Sequence, residues 1–325
     1  MNYIYVLSSN ELDFYYEQFL LSAASLRLYN PDAVIIVLID SKTKEGLKEK
    51  RSGYKTFITE EIIISVPPEL SQKEASRWIK TSIQNYIKEE FLYIDCDTVV
   101  TAELKKDFSN DISIGAVLDN HVNLKKHHLK DHFTTEDKKA GFSSSLKTNL
   151  RYNGGLIYSK NDSKAVEFFE KLHFLWINGK KHGCSQDMPS LNQANYKMNN
   201  IITELPGEWN CQISHNGLSF LYNAKIIHYY ATGLQYLQSP FLPASNTVLS
   251  SIKETGTISE EIMELLKNPK TAFEQESRII AGEAELDLTN SKLFSLFLRI
   301  RKRKPKLFKA FNSLITRSIS AWKKN

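Results

Sequence analysis

Residues 3–39 set an apolar strand, an amphipathic helix and a second apolar strand one after another, and few folds accept that order. Tyr3–Leu7 is rich in strand-forming residues and stops at Ser8-Ser9-Asn10. Phe14, Phe19, Leu20, Ala23, Ala24 and Leu26 then recur at helical spacing until Asn30-Pro31 ends the run. Val34–Ile39 is continuously apolar, as a parallel strand covered on both faces must be, and it ends in Asp40-Ser41. Strand, helix, strand in this span predicts a βαβ unit with a right-handed crossover. In such sheets ligands sit beyond the carboxyl ends of the strands, so Ser8, Ser9, Asn10 and Asp40 are expected along one rim.

The same grammar continues. Ile62–Val66 reads as a third strand closed by Pro67-Pro68, and Ser71–Ile87 as a helix burying Trp78, Ile79, Ile83 and Ile87. Arg77 and Lys80 lie three apart on that helix and share a face. Phe91–Val100 reads as one strand carrying Asp95 and Asp97, separated by Cys96. Side chains at i and i+2 of extended backbone share a face, so the two carboxylates converge and Cys96 packs the other way. Two anionic oxygen donors at a strand's carboxyl end suit a divalent cation that keeps phosphate oxygens as further ligands. A strand closing in a polar turn is the other reading.

Ile112–Val117 is a further short strand, again followed by a carboxylate, Asp119. Residues 120–150 carry His121, His127, His128 and His132 among lysines; no metal-site spacing fits them, and they read as a solvated loop. Gly154-Gly155, ahead of Leu156–Ser159, permit close approach of a ligand or another chain segment. Asp162–Trp176 and Met188–Asn195 read as helices, and Ala224–Tyr230 as a strand containing His228.

Cys96, Cys184 and Cys211 are scattered and read as reduced thiols. With no leader-like or membrane-spanning stretch, a cytoplasmic location with peripheral membrane contact is expected. Charge is unevenly placed. Ten of the 42 Lys and Arg lie from Arg299 onward with no acid among them, leaving 32 basic against 37 acidic residues in 1–298. Along the tail, Leu307, Phe308, Phe311, Leu314, Ile315, Ile319 and Trp322 fall on one side of a helical wheel. Lys306, Lys309, Arg317, Lys323 and Lys324 fall on the other. A cationic face opposite an aromatic-rich apolar face describes a helix lying on an anionic membrane surface. Docking of the same apolar stripe on the protein body is the alternative. Nothing else in the chain points to nucleic acid.

The order of motifs resembles family 8 of the glycosyltransferases over residues 3–235. The resemblance rests on Tyr5–Asn10, Leu26–Pro31, Arg77, Tyr93–Thr98, Gly115–Asp119, Tyr152–Gly155, Gln186-Asp187, Leu205-Pro206 with Trp209-Asn210, and His228 with Gly233. It implies the A-type nucleotide-sugar transferase fold, an α/β Rossmann-like, mixed and mostly parallel sheet flanked by helices. It further implies Mn2+ or Mg2+ held by Asp95, Asp97 and His228. Leu7, Ser8 and Asn10 would meet the base and ribose of a UDP-hexose donor, and Arg77 and Lys80 its phosphates or sugar. Asp119, Asn153, Gly154 and the pair Gln186-Asp187 would surround the hexose, with Gly233 near the phosphates. Gln186 would lie near the anomeric centre, and Asp187 is the carboxylate for positioning or stabilisation. Family members retain anomeric configuration, and a bacterial surface glycan such as a lipopolysaccharide or capsule precursor is the expected acceptor. The chain departs from the usual pattern at Ser185, where many members carry Asp, and at Gly154 in place of Ala. The expected organisation is a transferase domain over 1–238, a helical extension over 239–290 and a basic amphipathic tail over 291–325. A sugar-1-phosphate nucleotidyltransferase would need a Gly-rich basic loop after the first strand, which Ser8–Glu11 is not. A non-catalytic carbohydrate-binding protein on this fold is the remaining alternative.

Overall fold

The computed structural model describes residues 1–213, 216–230, 240–275, 288 and 291–322, with side chains of the last helix described as far as 315. It divides into two units, residues 1–230 with 241–273, and residues 231–240 with 274–325.

The first unit opens with the expected βαβ element. β1 (Asn2–Leu7), α1 (Tyr15–Tyr29) and β2 (Ile35–Asp40) lead through α2 (Ser41–Gly46) to β3 (Glu60–Ile64), α3 (Gln72–Thr81) and β4 (Phe91–Ile94). β5 (Thr98–Val100), β6 (Ile114–Leu118), α4 (Lys130–Lys139), α5 (Ser144–Lys147) and β7 (Tyr152–Ser159) follow. α6 (Ser163–Lys181), α7 (Asp187–Lys197), β8 (Ile202–Glu204), β9 (Cys211–Gln212), β10 (Ile226–His228), α8 (Asn246–Thr255) and α9 (Glu260–Lys267) complete it. Seven strands form one sheet in the order β3-β2-β1-β4-β7-β6-β8. β3, β2, β1 and β4 run parallel, β7 is antiparallel to both β4 and β6, and β8 is parallel to β6. β5, β10 and β9 make a second, three-stranded sheet.

Both faces of the large sheet are covered, which is why its strands lack polar alternation. Ile4, Val6, Ile36, Leu38, Phe91 and Tyr93 pack under Ile79, Phe168, Phe169 and Leu191 from α3, α6 and α7. On the opposite face Tyr5 meets Phe19 of α1 edge-on at 5.3 Å, and its hydroxyl bonds Ser22 Oγ at 2.9 Å. Each apolar side chain fully buried in these layers contributes about 1.5–3 kcal/mol. The helices of 241–273 belong to this unit: Tyr29 of α1 donates to the carbonyls of Leu266 (3.2 Å) and Lys267 (2.8 Å), and Lys253 donates to that of Asp13 (2.7 Å).

Three stretches differ from the sequence reading. The expected single strand over 91–100 is split at the aspartates, with β4 in the large sheet and β5 in the small one. Asp95 N makes a last bond to Gly155 O (2.8 Å), and the Thr98 hydroxyl takes the Asp95 carbonyl (2.8 Å), turning the chain. α3 stops at Thr81, because the hydroxyls of Thr81 and Ser82 bond back to the carbonyls of Arg77 (2.8 Å) and Trp78 (2.7 Å). Residues 120–150 hold α4 and α5 rather than an open loop, for reasons given below.

In the second unit, α10 (Lys292–Arg303) is capped by Ser291, whose hydroxyl accepts from Phe294 N at 3.1 Å, and Pro305 begins α11 (Pro305–Trp322). Leu293, Leu296, Leu307, Phe311, Leu314 and Ile315 are between 45% and 61% exposed. Among the described residues no helix is long and apolar enough to cross a membrane.

Candidate active site

Strand register brings the site together. Because β7 runs antiparallel, its first residues meet the last residues of β4 and β6: Leu156 opposes Ile94, and Tyr152 opposes Leu118. Asn153 and Gly154 therefore lie beside Asp95 on one side and Asp119 on the other. Asn192 holds α7 against this edge, its amide oxygen accepting from Tyr152 N (2.7 Å) and its amide nitrogen donating to Tyr152 O (3.1 Å). That places Gln186 and Asp187 at the start of α7, where the unpaired N–H groups and helix dipole favour a carboxylate.

Asp95, Asp97 and His228 gather as anticipated, each offering a ligand atom with all of these atoms within 4.8 Å of one another. The bend at Cys96 sends its Sγ to the Val6 carbonyl (3.4 Å) and leaves both carboxylates on the other side. His228 is 2% exposed, with Nε2 3.3 Å from Asp97 Oδ1. Burial alone would lower its pKa, but Asp97 outweighs that and raises it. Two carboxylate oxygens and one imidazole nitrogen are a donor set that a divalent cation fits. Gly155 makes the room. A Cβ there would lie 2.3 Å from His228 Cε1, 2.7 Å from its Nδ1 and 2.9 Å from Asn153 Oδ1. Gly155→Ala is therefore expected to cost about 1–3 kcal/mol of stability by overpacking and to weaken cation binding as well. Urea unfolding and Mn2+ titration check this; unchanged values for both would show that the imidazole need not sit there.

A cationic layer lies next to the carboxylates. Lys80 Nζ stands 2.8 Å from Asp187 Oδ2 and 3.2 Å from Asp95 Oδ1, and the Tyr93 hydroxyl also donates to Asp95. From the same face of α3, Arg77 donates to Gln186 Oε1 (2.9 Å) and sets its Nε 3.6 Å from Asp187. Burial would raise the Asp187 pKa; Lys80 first and Arg77 next hold it down at about 2. Burial likewise works against the Lys80 ammonium, and Asp187 and Asp95 together still raise its pKa.

Opposite this layer Asn153 donates to Asp119 Oδ1 (3.0 Å) and to the Tyr230 hydroxyl (2.6 Å). Tyr230 in turn donates to Gln212 Oε1 (2.7 Å). Burial would raise the Asp119 pKa, but His127, Asn153 and Arg151 lower it. The loop expected over 120–150 is ordered by these contacts. His127 Nδ1 accepts from Leu129 N (3.1 Å), which leaves the proton on Nε2, and that nitrogen lies 3.2 Å from Asp119 Oδ2. Buried Arg151 lies 4.0 Å from both Asp119 and Asp137 and covers the Phe133 ring at 3.6 Å. His121 accepts from Gln212 N (3.2 Å), and burial pushes its pKa down to about 4, so it is neutral.

The base-side candidates are placed differently. Leu7 is fully buried in β1, and Ser8 gives its hydroxyl to buried Asp40 (2.6 Å). Exposed Asn10 bonds Gln72, whose amide donates to Ser8 O (2.9 Å) and Asp13 Oδ2 (2.6 Å). Gly233 lies outside the described residues. Sequence reasoning passed over Gln72, Gln212, Tyr230 and Arg151, and gave Asn210 no role although Trp209-Asn210 is among the motifs that carry the resemblance. Tyr230 was within reach, since i and i+2 share a face and its ring does stack on His228, centroids 4.0 Å apart.

Glycosyl transferase family 8 matches residues 13–233. No curated protein matches the chain. Among solved structures, an active-site mutant of LgtC is 16% identical with a TM-score of 0.50, over 80% of this chain and 98% of that one. The apo form of mouse xyloside xylosyltransferase 1 is 11% identical with a TM-score of 0.46, over 70% and 97%. GlyE, a glycosyltransferase of Streptococcus pneumoniae, is 15% identical with a TM-score of 0.46, over 86% and 67%. The LgtC likeness agrees with the mixed, mostly parallel sheet flanked by helices. A family match spanning this much of the chain, over the very elements that carry the carboxylates and His228, makes the chain a member of glycosyltransferase family 8 and a glycosyltransferase.

Proposed function

We propose that this glycosyltransferase moves a hexose from a UDP-sugar to a glycan or lipid-linked glycan, with retention of anomeric configuration and a bound Mn2+ or Mg2+. The observation that carries the reading is the convergence of Asp95, Asp97 and His228 within 4.8 Å, beside Asn153, Asp119, Lys80 and Asp187. When bound, the cation would supply electrostatic stabilisation of the departing nucleoside diphosphate. Lys80 and Arg77 add positive charge on the donor's path, Asp119 and Asn153 offer hydrogen-bond partners to sugar hydroxyls, and Gly154 keeps that wall low. Arg77 orients the Gln186 amide, and Asp187 is ionised and rigidly held, suited to positioning the anomeric centre. Leu7, Ser8 and Asn10 take the nucleoside end, where Gln72 joins them, and Gly233 belongs to the phosphate side. Incubation with UDP-sugars and Mn2+ should release UDP slowly and faster with acceptor. Failure to bind or hydrolyse any nucleotide sugar, with or without metal, would overturn the proposal.

Residues 1–238 would form the transferase domain and 239–290 a helical extension, its 241–273 part packed on that domain, with 291–325 tethering the enzyme peripherally to the inner face of the membrane, where a surface-glycan acceptor is built. Exposed Leu293, Leu296, Leu307, Phe311 and Leu314 next to the Arg299–Lys304 run support this. Each basic residue near an anionic leaflet adds about 1 kcal/mol. Deleting 291–325 should abolish co-sedimentation with phosphatidylglycerol vesicles at low salt; unchanged partition would contradict the tether.

A further inference from the structure

We infer that Asn210 is the positioning residue for the metal ligand His228, fixing its imidazole so that Nε2 faces the cation, and that it ties this ligand to the hexose wall. The inference rests on the metal reading proposed above. It begins from a donor whose identity is not in question, the backbone N–H of Gly155, which lies 2.8 Å from the side chain of Asn153. A backbone N–H only donates, so the atom it meets is the Asn153 amide oxygen. The Asn153 amide nitrogen consequently faces Asp119 Oδ1 at 3.0 Å, a carboxylate that accepts. Asn210 reaches the same Asn153 oxygen at 2.9 Å and must present its own amide nitrogen there. Its remaining atom, Oδ1, therefore faces His228 Nδ1 at 2.9 Å. An amide oxygen only accepts, so the proton sits on Nδ1.

The consequence is chemical. With Nδ1 protonated and occupied, the lone pair available for a cation is on Nε2, the atom 3.3 Å from Asp97 Oδ1. The ring plane is held as well, by the Tyr230 ring stacked at 4.0 Å and 10° and by the bare backbone of Gly155. Asn210 is 1% exposed and both of its amide atoms are engaged, which holds the amide in place. Partners that orient a ligating histidine in this way are worth about 10–100-fold in metal affinity. Because Asn153 also bonds Asp119 and Tyr230, the tautomer and the sugar-facing wall share one chain of hydrogen bonds.

The test is the Mn2+ affinity of the full chain in the presence of UDP, read from the electron paramagnetic resonance of free Mn2+, for wild type, Asn210→Ala and Asn210→Asp. Alanine removes the acceptor and should weaken binding about 10–100-fold, whereas aspartate still accepts the Nδ1 proton and should stay within about threefold of wild type. A role confined to holding the fold predicts the opposite for aspartate, which cannot donate to Asn153. If alanine binds Mn2+ like wild type, or aspartate loses as much as alanine, the inference is overturned while the metal reading stands. If wild type binds no Mn2+ at all, the metal reading falls and takes the inference with it. Should the alanine protein not fold, the aspartate protein alone decides: retained affinity supports the assignment and lost affinity overturns it.

Discussion

Asp97→Ala is expected to reduce metal-dependent sugar transfer by about a thousandfold or more, since a Lewis-acidic cation is worth several kcal/mol of transition-state stabilisation. The fold should survive the change. Asp97 takes part in the small sheet through its carbonyl, which accepts from Tyr229 N at 3.1 Å, and alanine keeps that carbonyl. Its carboxylate is partly solvated and stands 3.3 Å from His228. Initial rates of UDP release, measured with thermal unfolding on the same samples, separate lost chemistry from lost structure. A variant with wild-type turnover and wild-type Mn2+ dependence would remove Asp97 from the site.

Lys80→Met should have the largest effect on stability, about 3 kcal/mol, because it strips the buried ammonium from two partly buried carboxylates. Of its two cationic partners Asp187 would keep Arg77, at 3.6 Å, and Asp95 would lose the ammonium 3.2 Å away. The pH dependence gives the sign. In the wild type the Asp187 pKa, about 2, lies below that of an unfolded carboxylate. Its contribution is therefore fully present above about pH 4 and lost as pH falls toward 2. In the variant, uncompensated burial pushes the same carboxyl up, so protonation relieves the damage. Urea unfolding should show a wide gap between the proteins at pH 7 that narrows toward pH 3. A gap independent of pH would mean that packing of the lysine stem, rather than its charge, is what the fold uses.

What could be read from the sequence follows the range of the interactions involved. The βαβ opening, the carboxylates closing β4 and β6 and the start of α6 at Asp162 are local signals, and the fold honours them. Convergence of Asp95 with Asp97 was also legible, although the chain achieves it on a bend between two sheets and not along one strand. His128 and His132 are exposed as expected, but His127 was misread because what orders it is distant: Asp119 and Arg151 stand 32 residues apart, and neither spacing nor composition announces a buried ion pair across that distance. Gln212 is silent for the same reason, and Asn210, though part of a motif, carries no sign of its role. They work through amides that meet β6, β7 and β10 only once the strands are in register.

Crystals grown with UDP and Mn2+ offer the most direct test of the central claim, through anomalous scattering at the manganese edge. The account predicts a peak coordinated by Asp95, Asp97 and His228 and by the diphosphate oxygens. Nucleotide bound with no peak there, or a manganese held by other side chains, would contradict it.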